Sequence, residues 1–393
     1  MDIQKKFELT LNESVDSKSA LTESNDVKSS SNETINISKT EIVIPEPSFT
    51  NDLEENLDLT EVGQKIAEKL EEYDYHPVVI FGSSNSGKSS LLGSLLGYFQ
   101  IDTKGVGIYL GDPIIPTDTP HGKWMYEEAE SFFGKGVQEF LDGIAHAATK
   151  TRHPFFIPIR VVPPNLPEIK FAFMESNGEW YKPRKDTGRY FPELKAEINA
   201  ILKHYQKGIS FIHVAPYTQI NVMEENKYDS DTNTQEINDA SLAIVGALNS
   251  YEQLRIFKDN DTHMFLITKW DASAKNNILG HLQFVETVDV ETIARTLYTR
   301  GFAAFNNLHI DPNQKNIMQY CSGLISGKNI IKANSELKPI LDKYPQTMWN
   351  WLYGNATELN SETNRRLALI PKILPPKKSI FDHISFLINK ILS

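Results

Sequence analysis

The chain of 393 residues contains a single cysteine, Cys321, so a disulfide framework and a zinc site built from cysteines are both excluded. No apolar run approaches the roughly 18 residues that a membrane-spanning helix needs. Basic residues are outnumbered, because 40 Lys and Arg stand against 51 Asp and Glu and leave a net charge of −11. A chain without a basic field is not expected to bind nucleic acid in general.

The histidines and the first residues exclude two further classes. The ten histidines form no H-x-x-x-H pair, so the sequence predicts no zinc site. The opening residues, MDIQKKFELTLNES, carry acids among their apolar residues, which is unlike a secretory signal. Together with the lone cysteine, these features predict a soluble protein in a reducing compartment, and we expect a cytoplasmic location.

The N-terminal part differs in composition from the rest of the chain. Residues 1–60 contain 13 acidic and 5 basic residues, a net charge of −8. Too few of them are apolar to offset the entropy lost on ordering, so residues 1–55 are predicted to form a disordered acidic tail. Within it, Glu41–Pro47 (EIVIPEP) is an apolar island that either docks as an added strand or is an ordinary part of the tail.

A phosphate-binding motif follows the first predicted strand. Apolar residues four apart predict a helix within 57–75, and Pro77–Phe81 predicts a buried strand. Gly82–Ser89 (GSSNSGKS) then matches G-x-x-x-x-G-K-[ST] at every specified position, and SLLGSLLGYF after it predicts a helix. The match in this strand–loop–helix context predicts a P-loop, whereas the alternative is an ordinary Gly/Ser-rich loop.

The residue types of this motif suit a nucleotide phosphate. Backbone N–H groups of the loop and of the first helical turn can surround phosphate oxygens. Lys88 adds a positive charge for the β- and γ-phosphates, and the Ser89 hydroxyl can complete a Mg²⁺ shell. The predicted phosphate-binding residues are Gly82, Ser83, Ser84, Asn85, Ser86, Gly87, Lys88, Ser89 and Ser90.

A second motif follows the predicted strand Met264–Ile267, where the chain reads Thr268-Lys269-Trp270-Asp271. The Asp271 carboxylate can accept from the ring N–H and the exocyclic amine of guanine, and adenine offers no such pair of donors. A buried carboxylate left unpaired by the wrong base is penalised, so the discrimination is steep. With the P-loop, this motif resembles [NT]-K-x-D of the P-loop GTPases, in which the Lys269 stem would lie along the base. The alternative is a strand-end turn.

The resemblance implies a second phosphate motif between these two. Phe155–Val162 and Ile169–Met174 predict two strands of a hairpin, and the second runs into Glu175-Ser176-Asn177-Gly178. The family has D-x-x-G here, so Glu175 would hold Mg²⁺ and Gly178 would meet the γ-phosphate. Glu179 stands where Ras-like members carry a water-orienting Gln, and its charge implies slow hydrolysis.

Two weaker motifs complete the resemblance. Thr117 and Thr119 in IIPTDTP are the candidates for the first-switch threonine, and each is alternatively a Pro-flanked turn residue. The predicted strand Ile317–Gly323 ends in Cys321-Ser322-Gly323, which resembles the final S-A-[KL] motif and makes Ser322 a candidate. The resemblance thus makes Lys88, Glu179, Thr117 and Thr119 the catalytic candidates. The metal candidates are Ser89, Glu175 and Thr117, and the nucleotide candidates beyond the loop are Gly178, Thr268, Lys269, Asp271 and Ser322.

The predicted fold is α/β: a three-layer P-loop NTPase fold with a mostly parallel sheet and one antiparallel edge strand. It covers residues 56–330, with an acidic surface loop at 224–238, and a helical extension follows at 331–393. The last segment, SIFDHISFLINKILS, has an apolar stripe at helical spacing. This predicted terminal helix packs on its own domain, binds a partner protein or lies on a membrane surface; its Lys and Asp disfavour the membrane.

The resemblance implies a Mg²⁺-dependent protein that binds GTP and GDP and hydrolyses GTP slowly. It would control a protein effector through its switch regions and terminal helix. Its long first-switch insertion and second motif resemble GTPases of bacterial conflict systems. The alternative is a nucleotide-binding adaptor with little or no hydrolysis, which Glu179 favours. A P-loop ATPase is disfavoured, because no acidic dyad follows the strand Ile169–Met174.

Overall fold

A computed structural model of the chain describes residues 58–101, 105–144, 151, 153–164, 166–181, 194–217, 227–272, 289–326, 329–331 and 338–357. These residues belong to one compact unit that begins at Asp58. The predicted acidic tail, with its apolar island, and the predicted terminal helix lie outside the described residues. Within them, no helix combines the length and apolar character needed to cross a bilayer.

Helices and strands alternate along the chain. The helices are α1 Leu59–Glu72, α2 Lys88–Ile101, α3 Pro120–Ser131, α4 Val137–Leu141, α5 Ala196–His204, α6 Lys227–Leu254, α7 Val290–Leu297, α8 Thr299–Asn306, α9 Lys338–Leu341 and α10 Lys343–Ala356. The strands are β1 Tyr75–Phe81, β2 Gly107–Leu110, β3 Phe155–Val162, β4 Ile169–Glu175, β5 Ser210–Pro216, β6 Thr262–Thr268, β7 Lys315–Gln319, β8 Leu324–Ser326 and β9 Asn329–Ile331. Short 3₁₀ turns lie at Gly178–Tyr181 and Pro312–Gln314.

Seven strands form one sheet in the order β2-β3-β4-β1-β5-β6-β7. Strands β4, β1, β5, β6 and β7 pair in parallel, while β3 is antiparallel to both of its neighbours. The predicted α/β class with a mostly parallel sheet is therefore confirmed. Strand β2, which covers β3 at the edge of the sheet, has no counterpart among the predicted strands.

The order of the strands places the sheet centre in the core. Every residue of β5 and β6 is buried, as expected for parallel strands covered on both faces. The loop that follows β1 therefore leaves from the middle of the sheet, between β4 and β5. In an open parallel sheet, ligands bind at this carboxyl edge, next to the ends of the strands.

Helix α10 of the predicted C-terminal extension is part of the core. The Trp349 indole is fully buried and donates from Nε1 to Leu95 O of α2 at 2.9 Å. Its ring lies 5.2 Å from that of Phe99, centroid to centroid. At the end of α10, Asn355 donates to the hydroxyls of Ser210 and Thr262, where β5 and β6 begin. Helix α10 thus packs against helix α2, which carries Lys88 and Ser89 of the P-loop motif.

The predicted acidic loop at 224–238 is wrong over its described part. Helix α6 begins at Lys227 and runs for 28 residues, so the polar segment continues the helix predicted from Ala240. Extending an existing helix adds one hydrogen bond for each residue fixed, and only its nucleation is costly. Polar residues can therefore lengthen a helix that an apolar segment has already anchored.

A buried ion pair fixes the opposite end of α6. Arg255 and Asp261 have fully buried side chains, with Arg255 Nε 2.8 Å from Asp261 Oδ2. Asp261 Oδ1 also accepts from Ile209 N at 2.9 Å, and Arg255 donates to Tyr205 O. The pair therefore connects the end of α6 to the chain entering β5.

Asp261→Asn should destabilise the fold strongly, because Arg255 would remain buried without its counter-charge. Breaking one side of a buried pair lowers the free energy of unfolding by about 3–5 kcal/mol. Urea unfolding followed by circular dichroism measures this loss. The control is Glu291→Gln, which breaks the exposed pair of Glu291 with Arg295 and should change stability by less than about 0.5 kcal/mol. Equal losses in the two variants would contradict the prediction.

Candidate nucleotide-binding site

The P-loop motif forms the connection between β1 and α2, as predicted. Gly87 has φ +90°, a conformation that side chains rarely adopt, and Asn85 also has a positive φ of 59°. Glycine and asparagine are the residues that tolerate this region best. The loop ends at Lys88, where α2 begins, so the N–H groups of the first helical turn, which have no acceptor within a helix, lie next to the loop.

The Lys88 ammonium lies inside the loop. Its Nζ donates to Gly82 O at 2.9 Å and to Ser83 O at 3.0 Å, and the side chain is buried. Burial lowers the pKa of Lys88 to about 8, although the charges of Glu175 and Glu179 act in the opposite direction. The loop thus holds a cation close to its own backbone, at the position that the motif assigns to the phosphate-binding lysine.

Ser89 and Glu175 meet beside the loop. The Ser89 hydroxyl donates to Glu175 Oε1 at 2.8 Å, and Glu175 is buried at the end of β4. A hydroxyl and a carboxylate are hard oxygen donors of the kind that Mg²⁺ prefers. In the described ranges, no three His, Cys, Asp or Glu side chains are grouped to hold a metal ion. The pair therefore fits an ion whose remaining ligands are phosphate oxygens and water.

The segment after Glu175 lies directly against the loop. A Cβ atom at Gly178 would be 2.5 Å from Ser84 N and 2.6 Å from Ser83 O, so only glycine allows this approach. Glu179 N donates to Asn177 Oδ1 at 2.9 Å, and the Glu179 side chain is exposed. The motif E-S-N-G is thus placed at the P-loop. Asn177 is a residue that sequence analysis gave no role, although Asn commonly forms such a turn.

The motif at the end of β6 also reaches the loop. The Thr268 hydroxyl donates to Ser86 O, and a Cβ atom at Gly87 would lie 3.4 Å from Thr268 Oγ1. Lys269, with φ 52°, turns the chain just beyond this contact. Strand β5 separates β1 from β6, so the loop spans the end of β5 to make this bond.

Asp271 adjoins the segment that contains Ser322. Trp270 N donates to Tyr320 O at 3.3 Å, and Asp271 is 5 % exposed. Burial raises the pKa of Cys321 to about 12, and the charge of Asp271 adds to this rise. Cys321 is therefore a neutral buried thiol rather than a nucleophile. Ser322 follows it and is partly exposed.

The first-switch candidates lie before α3. Thr119 is the N-cap of that helix: its hydroxyl accepts from Gly122 N at 3.1 Å and donates to Pro116 O at 3.0 Å. Its hydroxyl is thus engaged in the Pro-flanked turn that the sequence left as the alternative. Thr117 is exposed. A role for either threonine towards Mg²⁺ or phosphate stays a prediction.

No protein-family model matches the chain, and no curated protein matches its sequence. The solved structures that resemble it include the Ski7 GTPase-like domain of S. cerevisiae, bound to GDP and inorganic phosphate in one structure and to GTP in another. Both share 11 % identity with this chain at a TM-score of 0.27, covering 70 % of this chain and 51 % of the other. The chain thus spans about half the length of the Ski7 chains.

A signal recognition particle receptor SRb-GTP/SRX complex from Chaetomium thermophilum is also similar. It shares 11 % identity at a TM-score of 0.33, covering 70 % of this chain and 98 % of the other. Likeness at this level does not carry a functional assignment.

Nucleotide affinity should depend on the protonation of Lys88. The pKa of about 8 means that the amine loses its proton as the pH rises through this value. An anionic phosphate favours the protonated amine, so affinity for GDP should be constant below this pKa. Above it, affinity should fall by up to about tenfold per pH unit. Calorimetry at about pH 7 and about pH 9 measures the change.

The matched control for this measurement is Lys88→Ala, which should bind GDP weakly at both pH values. Any pH dependence left in the variant belongs to the nucleotide and is subtracted from that of the native chain. An equal pH dependence in the two proteins would show that Lys88 does not titrate against the phosphate.

Proposed function

We propose that the chain binds GTP and GDP together with Mg²⁺, hydrolyses GTP slowly, and acts as a switch on a protein partner. The observation that carries this proposal is the hydrogen bond from Thr268 to Ser86. It joins the segment suited to reading guanine to the loop suited to holding phosphates. One nucleotide can therefore contact both segments at once.

The phosphates would bind at the loop Gly82–Ser89. Backbone N–H groups at the start of α2 would donate to phosphate oxygens, favoured by the positive end of the helix dipole. The Lys88 ammonium now donates to two carbonyls of the loop, and it would exchange these partners for phosphate oxygens. A charged partner is the stronger acceptor for an ammonium, so the exchange favours binding.

Ser89 and Glu175 would hold Mg²⁺, which neutralises charge on the β- and γ-phosphates when it is bound. The carboxylate of Glu175 is one methylene longer than the aspartate of the family motif. It nevertheless lies within 2.8 Å of the Ser89 hydroxyl, so both oxygens are already close together. Gly178 would present its N–H at the γ-phosphate, from the same segment that lies on Ser83 and Ser84.

The base would be read by Asp271, while Lys269 would lie along it. Asp271 is buried, and a buried carboxylate would favour a ligand that offers it N–H donors. Guanine supplies two such donors on one edge, whereas adenine would leave the carboxylate unsatisfied. The buried carboxylate therefore selects guanine by the penalty attached to the wrong base.

Slow hydrolysis is proposed from Glu179. Glu179 follows Gly178, which lies directly against Ser83 and Ser84 of the P-loop, and its charge opposes the lowering of the Lys88 pKa by burial. A negative charge there repels the γ-phosphate, and a carboxylate cannot donate a hydrogen bond to it. The switch regions and the predicted terminal helix are the proposed contacts for an effector, and a place among conflict-system GTPases belongs to the same proposal.

The second candidate function is a nucleotide-binding adaptor that turns over little or no GTP. The same residue favours it, since Glu179 stands where a water-orienting glutamine would support hydrolysis. In this case the bound nucleotide would stabilise one conformation for assembly with a partner.

Calorimetry with GTP, GDP and ATP in the presence of Mg²⁺ tests the proposal, followed by an assay of phosphate release. We expect tight binding of both guanine nucleotides and at least about tenfold weaker binding of ATP. Equal affinity for ATP would contradict the assignment of Asp271. Phosphate release above background would support the switch, and its absence in a protein that binds GTP would support the adaptor.

Asp271→Asn should exchange the base preference. The amide presents a donor where the carboxylate accepts, so it matches xanthine, which has a carbonyl in place of the exocyclic amine of guanine. We expect GTP to bind at least about fivefold more weakly and xanthosine triphosphate to bind more tightly. Competition binding against a labelled guanine nucleotide measures both changes. Asp239→Asn, at a partly exposed position of α6, is the control, and unchanged GTP affinity in Asp271→Asn would show that Asp271 is only a turn residue.

Glu179→Gln should remove the repulsion and keep the shape of the side chain. Because Glu179 is exposed and its charge is screened, we expect a modest effect: about twofold to tenfold tighter binding of GTP relative to GDP. Phosphate release should become faster if water positioning limits the rate. Glu127→Gln, an exposed change on α3, should alter neither quantity. Slower release at unchanged GTP affinity would instead make Glu179 the general base.

A further inference from the structure

A buried hydrogen bond joins the P-loop helix to the base-reading segment through two residues that lie outside both motifs. Ser94 lies on α2, and Tyr320 follows β7. Their hydroxyl oxygens are 2.8 Å apart. Ser94 Oγ donates its proton to Leu91 O at 2.9 Å, so it must accept the proton of Tyr320. Tyr320 is fully buried and Ser94 is 8 % exposed, so water does not compete for this bond.

The backbone of Tyr320 is bonded to the residue before the T-K-W-D motif and to Trp270 within it. Tyr320 N donates to Ile267 O at 2.7 Å, and Trp270 N donates to Tyr320 O at 3.3 Å. The residues that follow are Cys321 and Ser322. Tyr320 therefore fixes the backbone around Asp271 and the start of the Ser322 segment, while its side chain reaches a different element.

That other element carries the phosphate-binding groups. Ser94 lies six residues after Lys88, which is about 9 Å along a helix. Helix α2 is continuous and stiff over this distance, so the position of Ser94 is linked to the positions of Lys88 and Ser89. Trp349 holds the same helix at the next residue, through Leu95 O.

The Tyr320–Ser94 bond adds to another side-chain bond between these parts of the molecule. That other bond joins Thr268 to the loop at Ser86. The Thr268–Ser86 bond alone would allow the base-reading segment to rotate relative to the loop. A second point, on the helix, fixes the angle between them.

We propose that Tyr320 is a positioning residue for base selection. Its phenol holds Asp271 and Ser322 at a fixed place relative to the P-loop helix, so that a nucleotide bound by its phosphates brings its base into register with Asp271. This inference rests on the proposed function and adds a determinant of specificity to it. Tyr320 would act through the base-reading segment, because its own hydroxyl is engaged with Ser94.

The physical consequence is selective. Hydrogen bonds weaken steeply when donor and acceptor are displaced, so the guanine–Asp271 contacts should suffer when the angle is relaxed. The phosphate contacts belong to the loop and α2 and should remain. Loss of the Tyr320 hydroxyl should therefore reduce affinity for GDP more than affinity for ADP, and the ratio of the two dissociation constants is the quantity to measure.

Tyr320→Phe removes the hydroxyl and keeps the ring, which lies 6.0 Å from that of Tyr344. We expect the ratio of the ADP and GDP dissociation constants to fall by about threefold to tenfold, the worth of a typical hydrogen bond. Ser94→Ala should lower the ratio similarly. The double variant should lower it no further than either single change, because both remove the same bond.

Tyr353→Phe is the matched control. Tyr353 lies near the C-terminal end of α10 and is also buried. Its hydroxyl donates to Pro167 O at 3.2 Å. This variant should lose comparable stability in thermal unfolding, yet its ratio of dissociation constants should equal that of the native chain. If the native chain prefers GDP to ADP and Tyr320→Phe leaves the ratio of dissociation constants unchanged, the role of Tyr320 is overturned while the proposed function stands. A parent chain without guanine preference would overturn the proposed function and the inference with it.

Discussion

The hydrogen bond between Thr268 and Ser86 is the contact on which the architecture of the site depends. Strand β5 lies between β1 and β6, so the two motifs can meet only across its end. The chain leaving β5 accommodates this, because Tyr217 N is bonded to Thr268 O at 2.8 Å. These bonds connect the carboxyl ends of the parallel strands β1, β5 and β6, and the candidate site lies at this edge of the sheet.

Charge compensation is the second constraint. Lys88, Glu175 and Asp271 are all buried at this edge of the sheet, and a buried charge is costly unless it is paired or hydrogen-bonded. Lys88 donates to carbonyls of its own loop, and Glu175 Oε1 accepts from the Ser89 hydroxyl. The site therefore folds with its own groups bonded to one another, and the same groups are the ones offered to a nucleotide.

The sequence predicted those parts of the molecule in which local pattern and tertiary structure agree. Phe171–Met174 of β4 and Met264–Ile267 of β6 are continuous buried apolar runs, and each strand ends in polar residues that the fold places at the P-loop. The sequence did not predict strand β2, because GIYL is only four residues long and half-exposed. The Tyr320–Ser94 bond joins residues 226 positions apart, and neither side chain belongs to a pattern that would relate them. Thr119 carries an ambiguity of another kind, since the same hydroxyl suits a helix cap and a switch threonine, and the structure shows the cap.

The position of the Lys88 ammonium has a kinetic consequence. Its two hydrogen bonds to loop carbonyls would have to break for all three of its N–H donors to turn to an incoming anion, so capture of a nucleotide would be a replacement and not a simple addition. The encounter complex would form first, and the rearrangement of the lysine would follow as a separate first-order step. At high nucleotide concentration the observed association rate would then level off at the rate of that rearrangement, well below the limit set by diffusion. Residence time and capture rate would thus be governed by the same short piece of backbone.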